Sequence, residues 1–193
     1  MPNFDPRNVC VSPNELLEKT SDPRHIAMIK NYRLHAMLEV SGRWKEILQD
    51  NLMVENPHYF MFYMDQSLTL NGRDEVATFY SALDGSGGTV FGPLSEKMAV
   101  ADWGLAIESH FAHHLRGYQI EAMGLTVENS EGYYQLEHWL STFWPYSEDC
   151  LLIGERVYEN PASRTIREID PAEFVTPDIA AQLLQPLIDE YQI

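Results

Sequence analysis

Residues 97–111 read KMAVADWGLAIESHF. Side chains alternate between the two faces of a strand, so Trp103, Leu105, Ile107 and Phe111 fall on one face. Asp102, Gly104, Ala106, Glu108 and His110 fall on the other. Stretches of similar texture cover 133–146 and 150–159, and the turn residues PYSED at 145–149 join those two as a hairpin. Upstream the period changes. Asp22 followed by Pro23 is a helix start, and Ile26, Ile29, Tyr32, Ala36, Met37 and Val40 follow at helical spacing over 23–40. After Ser41 and Gly42, residues 43–52 predict a second, shorter helix with Trp44, Ile47 and Leu48 on one side. HYFMFY at 58–63 has the aromatic density of a buried strand. A third helix is expected over 72–83, with Asp74 and Glu75 at its positive end and an apolar stripe of Val76, Phe79, Tyr80 and Leu83.

Helices, one strand, a helix and then a run of antiparallel strands make an α+β fold, with a curved antiparallel sheet wrapped around N-terminal helices. Residues 85–88 form a turn without the spacing of a phosphate-binding loop, and 112–132 read as an excursion between strands. Thr176 and Pro177 open a C-terminal helix carrying Ile179, Leu183, Leu187 and Tyr191, with Pro186 placed to kink it. The chain of 193 residues is expected to form a single domain: a polar arm or loop over 1–22, a core over 23–160 and an extension over 161–193.

Thirteen Lys and Arg against 29 Asp and Glu give a net charge of −16. That balance argues against nucleic acid and against anionic membranes, both of which need clustered cations. There is no apolar run of membrane-spanning length and no secretory signal pattern, so a cytoplasmic address is expected. Cys10 and Cys150 lack the spacing of a disulfide framework or a thiolate zinc site. His110, His113 and His114 would crowd one side of a helix and could hold a metal there, but on a strand His113 opposes the other two. No HExxH or GxSxG pattern is present, and no metal site is expected.

WKEILQDNL at 44–52, NPHY at 56–59, NGRDEVATFY at 71–80, ADWGLAIE at 101–108, WPY at 144–146 and LIGERV at 152–157 resemble the nuclear transport factor 2-like superfamily, in its SnoaL-like branch. The resemblance spans about 23–160 and implies a cone with a pocket at its open end. It implies acid–base chemistry without a cofactor, and dimers or trimers formed through the sheet. Members include dehydratases, isomerases and cyclases, and some only bind proteins.

Within that frame the candidate catalytic residues are His138, Tyr32, Asp102 and Glu108, and the candidate substrate-binding residues are Tyr59, Tyr63, His110 and Trp144. The resemblance places a tyrosine of the first helix, here Tyr32, as an acid or hydrogen-bond donor in the cavity. Tyr59 and Tyr63 share a strand face, and either line the pocket or pack as core. Asp102, Glu108 and His110 form either an acid–base wall or the solvent face of an amphipathic strand. If they form the wall, the opposite face, with Trp103, Leu105 and Ile107, would meet a partner subunit. His138 shares a face with Tyr134, Leu136, Leu140, Thr142 and Trp144, as a general base or a satisfied core histidine. Its expected partner is Asp102, Glu108, a tyrosine hydroxyl or water. Glu155 and Arg156 point to opposite faces, one toward the pocket or both paired at the surface. The expected activity is that of a cofactor-independent lyase, a dehydratase or retro-aldol enzyme, acting on a hydrophobic aromatic or polycyclic alcohol. An isomerase, a cyclase or a non-catalytic binding protein are the alternatives.

Overall fold

The computed structural model describes residues 4–191. Its axis is helix α2 (Pro23–Val40), which follows α1 (Val11–Lys19). The Asp22 side chain accepts hydrogen bonds from the backbone N–H groups of Arg24 and His25, and Pro23 occupies the first turn, where its missing N–H costs nothing. Nine of the 18 residues of α2 are buried, far more than the single stripe of a surface helix. Strands of the sheet cover it on one side, and α1, the 3-10 turn Pro6–Cys10 and α5 (Pro177–Asp189) cover it elsewhere.

The sheet has six strands in the order β2-β1-β6-β5-β4-β3 and does not close. They are β1 (His58–Tyr63), β2 (Gln66–Asn71), β3 (Phe91–Ala101), β4 (Gly104–Arg116), β5 (Tyr133–Pro145) and β6 (Arg156–Glu168). Every neighbouring pair is antiparallel except β1 and β6, which run parallel, so the sheet is mixed. Register shifts at Pro93/Ser95 and Glu137/Trp139 supply bulges, which bend strands and help the sheet curve around the helices. Helix α3 (Gly72–Gly85) packs at the β1–β2 end, close to its expected span.

Several expectations are corrected. The stretch 97–111 is two strands, because Asp102 and Trp103 form a tight turn between β3 and β4. The two-residue turn inverts the in–out parity: Met98 pairs with Ile107 and Val100 with Leu105, so even-numbered residues of β3 and odd-numbered residues of β4 share the concave face. Gly104 carries φ +147°, and a Cβ there would strike the Trp144 backbone. In place of a second helix, Trp44–Glu46 makes one 3-10 turn, after which Leu52 and Met53 are drawn into backbone contact with Leu152. Strand β2 went unseen because its turn uses Met64 and Asp65 at positive φ with no glycine, and because most of β2 is exposed.

Strand β6 begins after Glu155 and runs to Glu168, so residues 161–168 belong to the sheet and not to an extension. The arm is helical: the 3-10 turn and α1 pack on β3, with Phe4, Val9 and Cys10 buried. Residues 1–3 of the expected arm and 192–193 of the expected extension lie outside the described residues. The 112–132 segment continues β4, adds α4 (Gly117–Ala122) and returns by a loop. Leu105 and Ile107 are buried on the concave face, because that face meets the helices; they do not form a subunit contact.

Candidate active site

Helices α2 and α3 and the concave face of the sheet enclose a pocket of about 160 Å³. Its walls are mostly apolar: Val40, Met61, Phe79, Leu83, Phe91, Phe111, Leu140, Trp144 and Val157 among others. Into this apolar space project three groups of polar side chains.

The first joins α2 to β3 and β4. Ser109 Oγ donates to Glu96 Oε2 at 2.6 Å, and Tyr32 Oη lies 3.4 Å from the same oxygen. Glu96 Oε1 is sealed from solvent and has no hydrogen-bond partner among the described residues. Burial raises the Glu96 carboxyl to about 7, only partly offset by Ser109 and Tyr32. Burial, then the Glu96 charge, holds the Tyr32 phenol well above its ordinary value.

The second group is a chain running back from the pocket wall. Tyr63 Oη lies 2.6 Å from His113 Nε2, which lies 3.3 Å from His138 Nε2. His138 Nδ1 donates to Glu159 Oε1 at 2.7 Å, leaving its Nε2 lone pair toward His113. Arg164 grips Glu159 with two hydrogen bonds, and the Met64 N–H adds a third. Burial alone would raise the Glu159 carboxyl, but Arg164, His138 and Met64 outweigh it and hold the group near 2. Burial lowers both histidines; His113 is the more depressed, with His138 as the next cause, whereas Glu159 partly offsets the shift of His138. Both rings are therefore neutral at pH 7, and the chain ends in a fixed carboxylate. Tyr63 and His113 line the pocket, while His138 lies behind them, fully buried.

The third group centres on the His35 ring. His35 Nε2 lies 2.9 Å from Tyr80 Oη and 3.3 Å from Glu155 Oε1, and Tyr80 Oη donates to Glu155 at 3.2 Å. Glu39, one turn along α2, lies 3.9 Å from His35 and faces the pocket with Glu155. Burial, with the Glu155 charge second, raises the Glu39 carboxyl well above its usual range.

The sequence candidates separate on this map. Tyr32, Tyr63 and Trp144 line the pocket. The Trp144 indole packs edge-on against both Tyr32 and His35. Asp102 does not reach the pocket: it sits on the β3–β4 turn with its side chain 94% exposed, paired to His25. Glu108 is exposed on the convex face, because the inward positions of β4 are the odd-numbered ones. His110 shares that outer face, stacked on Trp139 and paired with Glu137 at 3.0 Å. Tyr59 is buried beside Tyr80 and Glu155, behind the pocket lining. The partner of His138 is Glu159, which was not among those expected. The HxxHH histidines point three ways: His110 outward, His113 to the pocket, and His114 against Phe4 and Phe174. No group of three His, Cys, Asp or Glu side chains among the described residues is placed to hold a metal ion.

Glu96, His113, Glu159, Glu39 and His35 were missed. Two of them carried a signal. Glu39 lies seven residues after Tyr32, on the same helix stripe. His113 continues the inward series Leu105, Ile107, Ser109, Phe111 once β4 is extended past residue 111.

No family model matches the sequence, and no curated protein matches it. Solved structures share its architecture. A protein of Shewanella putrefaciens assigned as a SnoaL-like polyketide cyclase superposes with a TM-score of 0.58 at 10% identity, covering 81% of this chain and 90% of that one. A protein of Jannaschia with the same assignment gives 0.52 at 12% identity, with coverages of 73% and 90%. A nuclear transport factor 2-like protein of Anabaena variabilis gives 0.51 at 10%, with coverages of 73% and 93%. The chain thus shares its fold with proteins described as SnoaL-like and as nuclear transport factor 2-like.

Proposed function

We propose that the chain is a cofactor-independent lyase that removes water, or splits a carbon–carbon bond, by general acid–base catalysis in this pocket. The observation that carries the reading is the Tyr63–His113–His138–Glu159 chain, which delivers a neutral imidazole, backed by a fixed carboxylate, to an apolar cavity. In the dehydration form, His113 takes a proton from a carbon beside a carbonyl group. The charge formed on the histidines is stabilised by Glu159. Glu96 or Tyr32 gives a proton to the departing hydroxyl, so that water leaves and a conjugated double bond forms. Glu96 on β3 and His113 on β4 both line the cavity, and this reaction requires their side chains to converge on neighbouring carbons of one substrate.

The substrate is a hydrophobic alcohol bearing one ring. The cavity of about 160 Å³ matches the ~150 Å³ that accommodates a single benzene ring, which disfavours a polycyclic molecule. The same groups would serve an isomerase that moves a proton between two carbons. The exposed aromatics of the convex face support self-association through that surface.

The test is a panel of aryl β-hydroxy ketones, with the conjugated product followed by ultraviolet absorbance. Turnover by the wild type and a loss of about 100-fold in His138→Gln, with the fold intact, is the expected result. Normal turnover in the folded variant would leave His138 a core residue.

A further inference from the structure

The pocket carries a marked charge asymmetry. Three carboxyl groups line it, Glu39, Glu96 and Glu155, and neither Lys nor Arg is among the lining residues. Two of these carboxyls already have work. Glu155 accepts from Tyr80 and lies against His35, and Glu96 is held by Ser109 beside Tyr32. Glu39 is different. Its only polar contact among the described residues is His35 at 3.9 Å, beyond hydrogen-bond distance. Its side chain is 14% exposed and lines the pocket. A carboxyl placed in an apolar cavity without a donor is costly to keep, and the cost is recovered when a ligand supplies the donor. The rings of Tyr32, Tyr63, Phe79, Phe91, Phe111 and Trp144 line the same space, and aromatic rings can hold a cation over their faces. The net charge of −16 draws cations toward the molecule and repels anions.

We infer that the ligand of this pocket carries a basic amine, bound as its ammonium ion against Glu39, beside the ring that fills the apolar cavity. This rests on the pocket being the substrate site, and it narrows the substrate to a one-ring amino alcohol. Burial, then the Glu155 charge, raises the Glu39 carboxyl, which an ammonium ion placed against it would bring back down. With the ammonium bound, the Glu39 carboxylate and the ligand form an ion pair, any proton on Glu39 passing to solvent. A carboxylate-bearing ligand would find no cation in the lining and three groups of its own sign when they ionise.

Isothermal titration with benzylamine, benzyl alcohol and benzoate tests this without any need for turnover. The wild type is expected to bind benzylamine at least about tenfold more tightly than benzyl alcohol, and benzoate more weakly than either. Glu39→Gln keeps the shape of the side chain and removes its charge. It should bring benzylamine and benzyl alcohol within about threefold of one another while leaving benzyl alcohol unchanged. Equal binding of amine and alcohol by the wild type, or tightest binding of benzoate, overturns the inference and leaves the ring pocket standing. An amine preference that survives in Glu39→Gln overturns the assignment to Glu39. Failure of all three probes to bind overturns both this inference and the reading of the cavity as a substrate site.

Discussion

Glu96 is a carboxyl raised to about 7 from 4.5 by burial, with one oxygen bonded to Ser109 and the other unpartnered. If it protonates the leaving group, activity should fall as pH rises through about 7, and Glu96→Gln should remove that limb of the profile along with most of the turnover. The stability consequence has a definite sign. A carboxyl whose folded value is raised contributes fully below the unfolded value of 4.5 and loses that contribution as pH rises through about 7. Urea unfolding of Glu96→Gln relative to wild type should therefore improve by on the order of 2–3 kcal/mol between pH 4.5 and 8. No change across that range would show that Glu96 is freely hydrated.

Glu159 works in the opposite sense. Held near 2 by Arg164 and His138 against the cost of burial, it contributes above pH 4.5 and loses that contribution as pH falls toward 2. Its role was hidden in the sequence because it depends on Arg164 folding back across five residues and on Met64 arriving from the turn between β1 and β2. Nothing in the local pattern around Glu159 marks either contact. Asp102 shows the reverse error: its place in an alternating run suggested an inward wall, but a two-residue turn sets it in solvent.

At the scale of elements, what was legible was whatever local periodicity fixes. Helix α2, with its Asp22 cap, and β1 over residues 58–63 were readable, as was β5. Less readable was the 150–155 segment, which the pattern assigned to a strand and the fold uses as an irregular lead into β6. There Ile153 accepts from the His58 N–H and Glu155 accepts from the Phe60 N–H, which sets Glu155 at the pocket. Between them Gly154 has φ +150°, and a Cβ at that position would fall on the His58 carbonyl. Gly154→Ala should cost at least about 2 kcal/mol by thermal unfolding, since the backbone must shift to admit a side chain. Gly85, which lies at the end of α3 with open space around it, is the control: Gly85→Ala should change stability by less than about 1 kcal/mol. Equal effects would mean that the 153–155 lead is not rigid.

For the whole molecule, the mixed sheet buries its concave face on the helices and leaves large aromatics on the convex one. Trp103, Phe143 and Tyr158 form a contiguous run of rings there, and Trp139, Phe60 and Phe62 are exposed on the same sheet. Isolated exposed aromatics are ordinary, but adjoining ones mark a surface that gains by being covered. Sedimentation at micromolar concentration is expected to show a dimer or trimer, and Phe143→Glu to shift it to monomer without lowering the helical signal. A wild-type monomer at that concentration would remove the convex face from the account.

The central claim is that protons move between a ring-bearing ligand and the His113–His138–Glu159 chain. Its most direct measurement is deuterium incorporation into the methyl group of acetophenone in heavy water, followed by proton NMR. The wild type should accelerate exchange over buffer, and His138→Gln should lower that acceleration by about 100-fold while melting within a few degrees of the wild type. Exchange in the folded variant as fast as in the wild type, or no acceleration by the wild type, would contradict it.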